Sequence, residues 1–305
     1  MREFIPPVPP IQCIGVASSV GGPGLGSEGG SAALQAAGLV EALRRRGLAA
    51  SWRATLKSGR GERMLVLHRL LLALAHETAS CLREGARPII LGGDHAQAAG
   101  TWRGVGAALG FPPGLVWIDA HLDAHTPASS PSGNPHGMPL AALLGFGDPA
   151  MTDIPGPRLD PRRLALVGIR SFEPAEADFL ERLGVRIFSI GEVAARGLQT
   201  CFAEARRVAG GWGESYGISL DLDAIDPRDA PGVSVPASGG IAAGELISAL
   251  RGCLREPGCV ALEMTEYSPR HDIQERTARL AIELLGAAAT HPEGLEAAHR
   301  LPRAA

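Results

Sequence analysis

LVWIDAHLDAH, residues 115 to 125, runs a short apolar stretch straight into two aspartates and two histidines. The apolar part, 115–118, is brief and continuous, the pattern of a strand buried on both faces as in a parallel sheet. Charge and imidazole directly behind it mark the carboxyl end of that strand. In an extended chain side chains alternate faces, so Asp119, His121 and Asp123 are expected to share one face while Ala120 and Leu122 take the other. His125 then continues the first face further out, toward the rim of a pocket above the sheet.

The same transition recurs along the chain. PIIL at 88–91 leads into GGDH at 92–95, YGISL at 216–220 into Asp221-Leu222-Asp223, and VALEMT at 260–265 into Glu266. Further β-rich runs lie at 11–16, 164–169 and 185–190. Between them are helical patterns: 31–46, with Ser31 as N-cap and Gly47 past its end; 62–84, closed by Gly85; and one that begins at Pro174 and stops near Gly184. Strand and helix alternating over the whole length predict an α/β fold, a mostly parallel central sheet with helices on both faces. With no long linker, composition shift or internal repeat, residues 1–305 read as one domain, with 1–10 and 292–305 as terminal extensions. In such sheets ligands bind outside the carboxyl ends of the strands, where this sequence repeatedly puts acid and imidazole.

Composition narrows the partner. A chain of 305 residues, 45% hydrophobic, can bury a large core. A formal net charge of −3 argues against nucleic acid or another polyanion, which needs a basic surface, and leaves a small molecule. No membrane role is expected: the most apolar helical stretch, 64–75, is interrupted by His68 and Arg69 and too short to span a bilayer. The N-terminal MREFIPPVPP carries prolines where a signal peptide needs an apolar core. Five cysteines without a CxxC pair read as reduced and mostly buried, in a cytoplasmic protein. His68, His76, His271, His291 and His299 lack comparable neighbours and read as surface or helix residues.

His95, Asp119, His121, Asp123, Asp221 and Asp223 can therefore converge above the sheet. Taken singly, GGDH is also the sequence of a glycine turn with an aspartate N-cap, and DxDxxDP that of a capped turn. Together, four aspartates in one place would repel one another or take up protons unless a cation lies among them. Carboxylate and imidazole without thiolate suit manganese, iron, cobalt or zinc, and this many acids suit two divalent ions sharing bridging carboxylates. A water held between two such ions loses a proton near neutral pH and becomes a hydrolytic nucleophile.

GGDH at 92–95, WIDAHLD at 117–123, SLDLDAIDP at 219–227 and EMTEYSP at 263–269 resemble the ordered signature of the arginase and ureohydrolase family, over about residues 14–286. The resemblance implies a three-layer α/β/α fold and two manganese ions per chain that hydrolyse a guanidinium group through a metal-bridging hydroxide and release urea. One ion would take His95, Asp119, Asp123 and Asp221; the other Asp119, His121, Asp221 and Asp223. SGNPHGMP at 132–139 resembles the arginase branch, which implies L-arginine as substrate, with L-ornithine as the other product. By the same resemblance His136 shuttles protons, and Ser132 and Asn134 hold the α-carboxylate. A guanidinium needs a partner for its positive charge, which Glu266 would supply, and Asp123 would pass a proton to the leaving amine; the resemblance implies trimers or hexamers. Three positions depart from the family. His125 stands where an asparagine usually helps hold the carboxylate, Glu173 where an aspartate meets the α-amino group, and Val235 where threonine or serine is usual. These departures keep another guanidino acid open as the substrate. A metal-binding member without catalysis is disfavoured by the full set of ligands together with His136 and Glu266.

Overall fold

A computed structural model describes residues 9–24, 26–211 and 214–290. Eight strands, β1 (Ile11–Ala17), β2 (Ala50–Lys57), β3 (Arg87–Leu91), β4 (Gly114–Ile118), β5 (Leu164–Ile169), β6 (Arg186–Ser189), β7 (Tyr216–Asp221) and β8 (Cys259–Thr265), form one sheet in the order β2-β1-β3-β8-β7-β4-β5-β6. Every pairing is parallel. Alternation sorts the strand side chains into two layers. Val116 and Ile118 of β4 join Val167, Ile218 and Leu220 in one core, and Leu115 and Trp117 join Leu164, Leu166 and Trp102 in the other. The fold is thus the expected three-layer α/β/α arrangement.

The strand order positions the site. β3, β8, β7 and β4, whose ends carry GGDH, Glu266, Asp221 and Asp119, are consecutive neighbours at the centre of the sheet. Groups far apart in sequence are therefore brought to one edge by lateral pairing, with Trp117 opposite Ser219 and Ser219 opposite Glu263.

Several expectations need correction. β2 was not anticipated: ASWRATLK is an edge strand with partly exposed positions and no clean alternation. The single helix over 31–46 is two, Gly30–Ala36 and Leu39–Arg45, because Gly38 adopts φ 80° and breaks the hydrogen-bond ladder. Gly29, not Ser31, is the N-cap, and Ser31 is buried in the first turn. The run 185–190 is a strand only through Ser189, which then caps the helix Ile190–Arg196. Pro10 is already tied to the sheet, accepting from Arg87 N at 2.8 Å. Of the expected extensions 1–10 and 292–305, residues 1–8 and 292–305 lie outside the described residues, as do His291 and His299.

Glu62 caps the helix Arg63–Arg83 by accepting from Met64 N and Leu65 N. At 21 residues this helix has the length and hydropathy to cross a bilayer, contrary to the shorter reading from sequence. Half of its most apolar window is buried, and it packs against the helix Ala98–Leu109. Glycines permit the close approach: a Cβ on Gly100 would stand 2.7 Å from Leu71 O, and one on Gly104 2.5 Å from Ala75 O. The five cysteines are free and buried.

Candidate metal centre and substrate cavity

The ligand-bearing segments reach the site by turning, not by staying extended. Asp119 Oδ1 accepts from His121 N at 2.7 Å, and Asp221 Oδ1 accepts from Asp223 N at 2.8 Å. Each aspartate side chain caps the backbone two residues on, the local bond this residue type makes readily. Asp223 consequently sits in a 3-10 turn, Leu222–Ala224. Asp123 takes φ 49° and Glu266 φ 62°, left-handed conformations that cost non-glycine residues energy and cluster at functional sites. The alternation expected over 119–123 and 221–223 is therefore replaced by one such turn in each segment, yet the side chains still converge.

Two groups result. His95 Nδ1 lies 3.2 Å from Asp119 Oδ2, 3.0 Å from Asp123 Oδ2 and 3.1 Å from Asp221 Oδ2. His121 Nδ1 lies 3.5 Å from Asp119 Oδ1 and 3.1 Å from Asp223 Oδ2. Asp119 thus offers one oxygen to each group, the arrangement of a bridging carboxylate.

The first group has the chemistry of a cation shell. Ser219 Oγ donates to Glu263 Oε2 at 2.9 Å, so the His95 Nε2 that faces Ser219 Oγ at 3.0 Å is the donor there. Nδ1, buried and without a hydrogen-bond partner, is left facing three carboxylate oxygens. Donor atoms about 2.1 Å from a shared octahedral ion stand about 3 Å apart, which matches the spacing around Nδ1. Electrostatics agree. Burial and neighbouring carboxylates push Asp123 and Asp221 up, and burial with Asp119 raises Asp223 to about 6. Burial opposes a charge on His121, but Asp119 and Asp223 outweigh it and raise it to about 12. In the absence of a cation the cluster must hold protons; the residues present fit divalent metal.

Behind His95 stands a support that sequence reasoning missed. Its ring stacks on Trp117 with centroids 4.1 Å apart, and the Trp117 indole donates to Asp119 Oδ2 at 2.9 Å. Glu263, fully buried, accepts from Thr101 Oγ1 (2.6 Å), Trp102 Nε1 (3.0 Å), Gln97 Nε2 (3.3 Å) and Ser219 Oγ. Its place within β8 was visible; its partners were not.

A cavity of about 340 Å³ opens on the cluster, and His125, Ser132, Asn134, His136, Glu173 and Glu266 all line it, as expected. Glu266 Oε1 accepts from His95 N at 2.9 Å, whereas Oε2 is buried without a partner. His136 Nδ1 is 3.2 Å from Glu266 Oε1; burial disfavours its charge, but Glu266 prevails and raises it to about 9. Ser132 Oγ accepts from Asn134 N at 3.2 Å.

His125 differs from the expectation of an open donor at the rim. It is 6% exposed, its Nε2 is 2.9 Å from Glu173 Oε2 and 3.1 Å from Glu176 Oε2, and its Nδ1 is 3.1 Å from Ser129 Oγ. Glu173, half exposed, caps the helix Pro174–Arg182. Glu176 was overlooked. It lines the cavity, accepts from Ala124 N at 2.9 Å, and is raised by burial to about 8. The signal was available: Glu173-Pro174-Ala175-Glu176 is a capping box, with an acid at the cap and another three residues on. His68, His76 and His271 are not among the cavity residues.

Comparison with known proteins agrees with this geometry. A model of the arginase family matches residues 11–290. The chain is 34% identical over 290 residues to the arginase of Bacillus caldovelox, covering 91% of this chain and 97% of that protein. The native structure of the Bacillus caldovelox arginase at pH 5.6 matches with a TM-score of 0.88 at 33% identity, over 93% of this chain and 99% of that one. An arginase of Entamoeba histolytica in complex with L-ornithine matches at 0.84 and 25% identity, over 92% and 97%. With its fold, its metal-ligand groups and these relatives in agreement, the chain belongs to the arginase family and is a ureohydrolase.

Proposed function

We propose that the chain hydrolyses the guanidinium group of L-arginine to L-ornithine and urea with two manganese ions. His95, Asp119, Asp123 and Asp221 hold one ion, and Asp119, His121, Asp221 and Asp223 the other. The ions supply a water acidic enough to serve as nucleophile near neutral pH. The observation that carries the reading is Glu266 Oε2, a buried carboxylate oxygen without a partner, beside the ligand cluster in the wall of the cavity. A guanidinium is the planar multiple donor that such an oxygen lacks.

The side chains divide the remaining work. Glu266 orients the guanidinium and offsets its charge. Asp123 has Oδ2 toward His95 and passes a proton to the leaving amine through its other oxygen. His136, 3.2 Å from Glu266 Oε1 in the wall of the cavity, carries protons between the cavity and solvent. Ser132 and Asn134 meet the carboxylate end of the substrate, and Glu173, with Glu176 behind it, the amino end.

A second reading, another guanidino acid, is favoured by one observation: the 2.9 Å pair of His125 with Glu173 puts an imidazole and two acids at the outer end of the cavity. Assembly into trimers or hexamers belongs to the same family reading, and a cytoplasmic location to the reading of the cysteines as reduced. The test is urea release by the manganese-loaded chain from arginine and from guanidino acids of other lengths. Arginine giving the highest kcat/KM supports the first reading, a different acid the second, and no urea from any of them contradicts both.

A further inference from the structure

Arg63 opens the long helix Arg63–Arg83 and bonds to two neighbouring segments beside the cavity. Its Nε donates to Val20 O at 2.7 Å. Its Nη2 donates to Gly21 O at 3.1 Å, to Gly22 O at 2.9 Å and to Asn134 Oδ1 at 3.1 Å. These four acceptors are neutral oxygens, so none of them cancels the guanidinium charge.

The bond to Asn134 has a chemical consequence. Arginine has donors only, so the asparagine amide must turn its oxygen toward Arg63. The two amide hydrogens are then left for other partners, and Asn134 lines the cavity with Ser132. A charged donor on the carbonyl side also polarises the amide and strengthens those hydrogens as donors. The effect matters here because the cavity wall contains several acids and, among the described residues, neither lysine nor arginine. Arg63 stands just behind the wall and transmits positive potential through Asn134.

The same side chain fixes the adjoining segment of the wall. Gly22 O, held by Arg63, precedes Pro23, which lines the cavity. The loop is pinned again at Gly21, whose N donates to Asp94 Oδ2 at 3.0 Å and whose O also accepts from His136 N at 3.0 Å.

We propose that Arg63 is a specificity-determining residue: by orienting the Asn134 amide hydrogens inward, it makes the outer end of the cavity select guanidino substrates that end in a carboxylate. The inference rests on the reading that the loop at 132–136 meets the far end of the substrate.

The test compares arginine with agmatine, which has the same guanidinium and chain length but no carboxylate. Arg63→Gln, which can present an oxygen and so permits the amide to flip, lowers the arginine-to-agmatine ratio of kcat/KM about tenfold, mostly through KM for arginine. Arg63→Lys, still a donor-only cation, keeps most of the ratio. In an Asn134→Ala background Arg63→Gln has no further effect on the ratio. A ratio unchanged in Arg63→Gln, or effects that multiply in the double variant, overturns the proposal, because a residue that merely staples the loop would move both substrates alike. Calorimetric binding of L-ornithine against putrescine reads the same selectivity without turnover. A wild type that releases no urea but prefers ornithine, with the preference lost in Arg63→Gln, refutes the hydrolytic reading and leaves the assignment of Arg63 standing. Equal affinity of the wild type for the two amines overturns the assignment.

Discussion

Replacing Ser219 with alanine removes the acceptor of the His95 Nε2 hydrogen without touching a metal ligand. His95 is 1% exposed and Ser219 fully buried, so water does not replace the lost oxygen. Coordination through Nδ1 requires Nε2 to keep its proton and its orientation, so the acceptor on Ser219 supports the bound state. An unsatisfied buried donor costs about 1–3 kcal/mol, which at about 1.4 kcal/mol per decade is roughly 5- to 150-fold in affinity. The range agrees with the loss of about 10- to 100-fold seen when outer-shell partners of metal ligands are removed. Glu263 keeps Thr101, Trp102 and Gln97 as donors, so the fold should survive. The assay is titration of metal-free protein with Mn2+, free ion being followed by electron paramagnetic resonance. Ser219→Thr, which retains a hydroxyl, should restore much of the affinity. A Kd for Ser219→Ala within about twofold of wild type would refute the argument that the serine and Glu263 hold the imidazole for metal.

Three further outcomes follow from other parts of the structure. His136 is raised to about 9, so its contribution to stability is full below about pH 6.5 and is lost as pH rises through about 9; His136→Asn should remove that slope from denaturant unfolding of metal-free protein, and should slow urea release while leaving bound manganese unchanged. Glu176 is an acid raised to about 8, so its burial costs stability as pH rises from about 4.5 to 8; Glu176→Gln should raise Tm more at about pH 9 than at about pH 5, and an equal change at both would contradict it. A Cβ at Gly104 would stand 2.5 Å from Ala75 O while one at Gly244 would meet nothing within 4 Å, so Gly104→Ala should cost about 1–3 kcal/mol and Gly244→Ala nothing, as read by thermal melting.

The chemistry-bearing residues were legible because their types declare themselves: His95, Asp119, His121, Asp123, Asp221 and Asp223 stand behind apolar runs whose only stable home is the middle of a sheet. The path by which they converge was not. An aspartate that bonds to the backbone two residues on, as Asp119 and Asp221 do, bends the chain away from the extended geometry that a period of two assumes. His125 shows the consequence, lying between Glu173 and Glu176 and not as an open donor at the rim. β2 escaped notice because an edge strand with half-exposed faces has no strong pattern, and the break at Gly38 because one glycine in a helical run is often tolerated. Glu263 and Arg63 act through partners in distant segments, Thr101 and Ser219 for one and Asn134 for the other, so their roles exist only once the sheet is assembled.

The central claim, a two-ion centre bridged by Asp119 and Asp221, is tested most directly by counting manganese. Metal analysis of the saturated wild-type chain, paired with urea release from arginine and set beside the same pair of readings for Asp221→Ala, is predicted to give two ions and turnover in the wild type. The variant should bind at most one ion and release no urea, with its circular dichroism and melting otherwise preserved. Two ions and normal turnover in Asp221→Ala, or full turnover by a wild type that binds only one, would contradict the account.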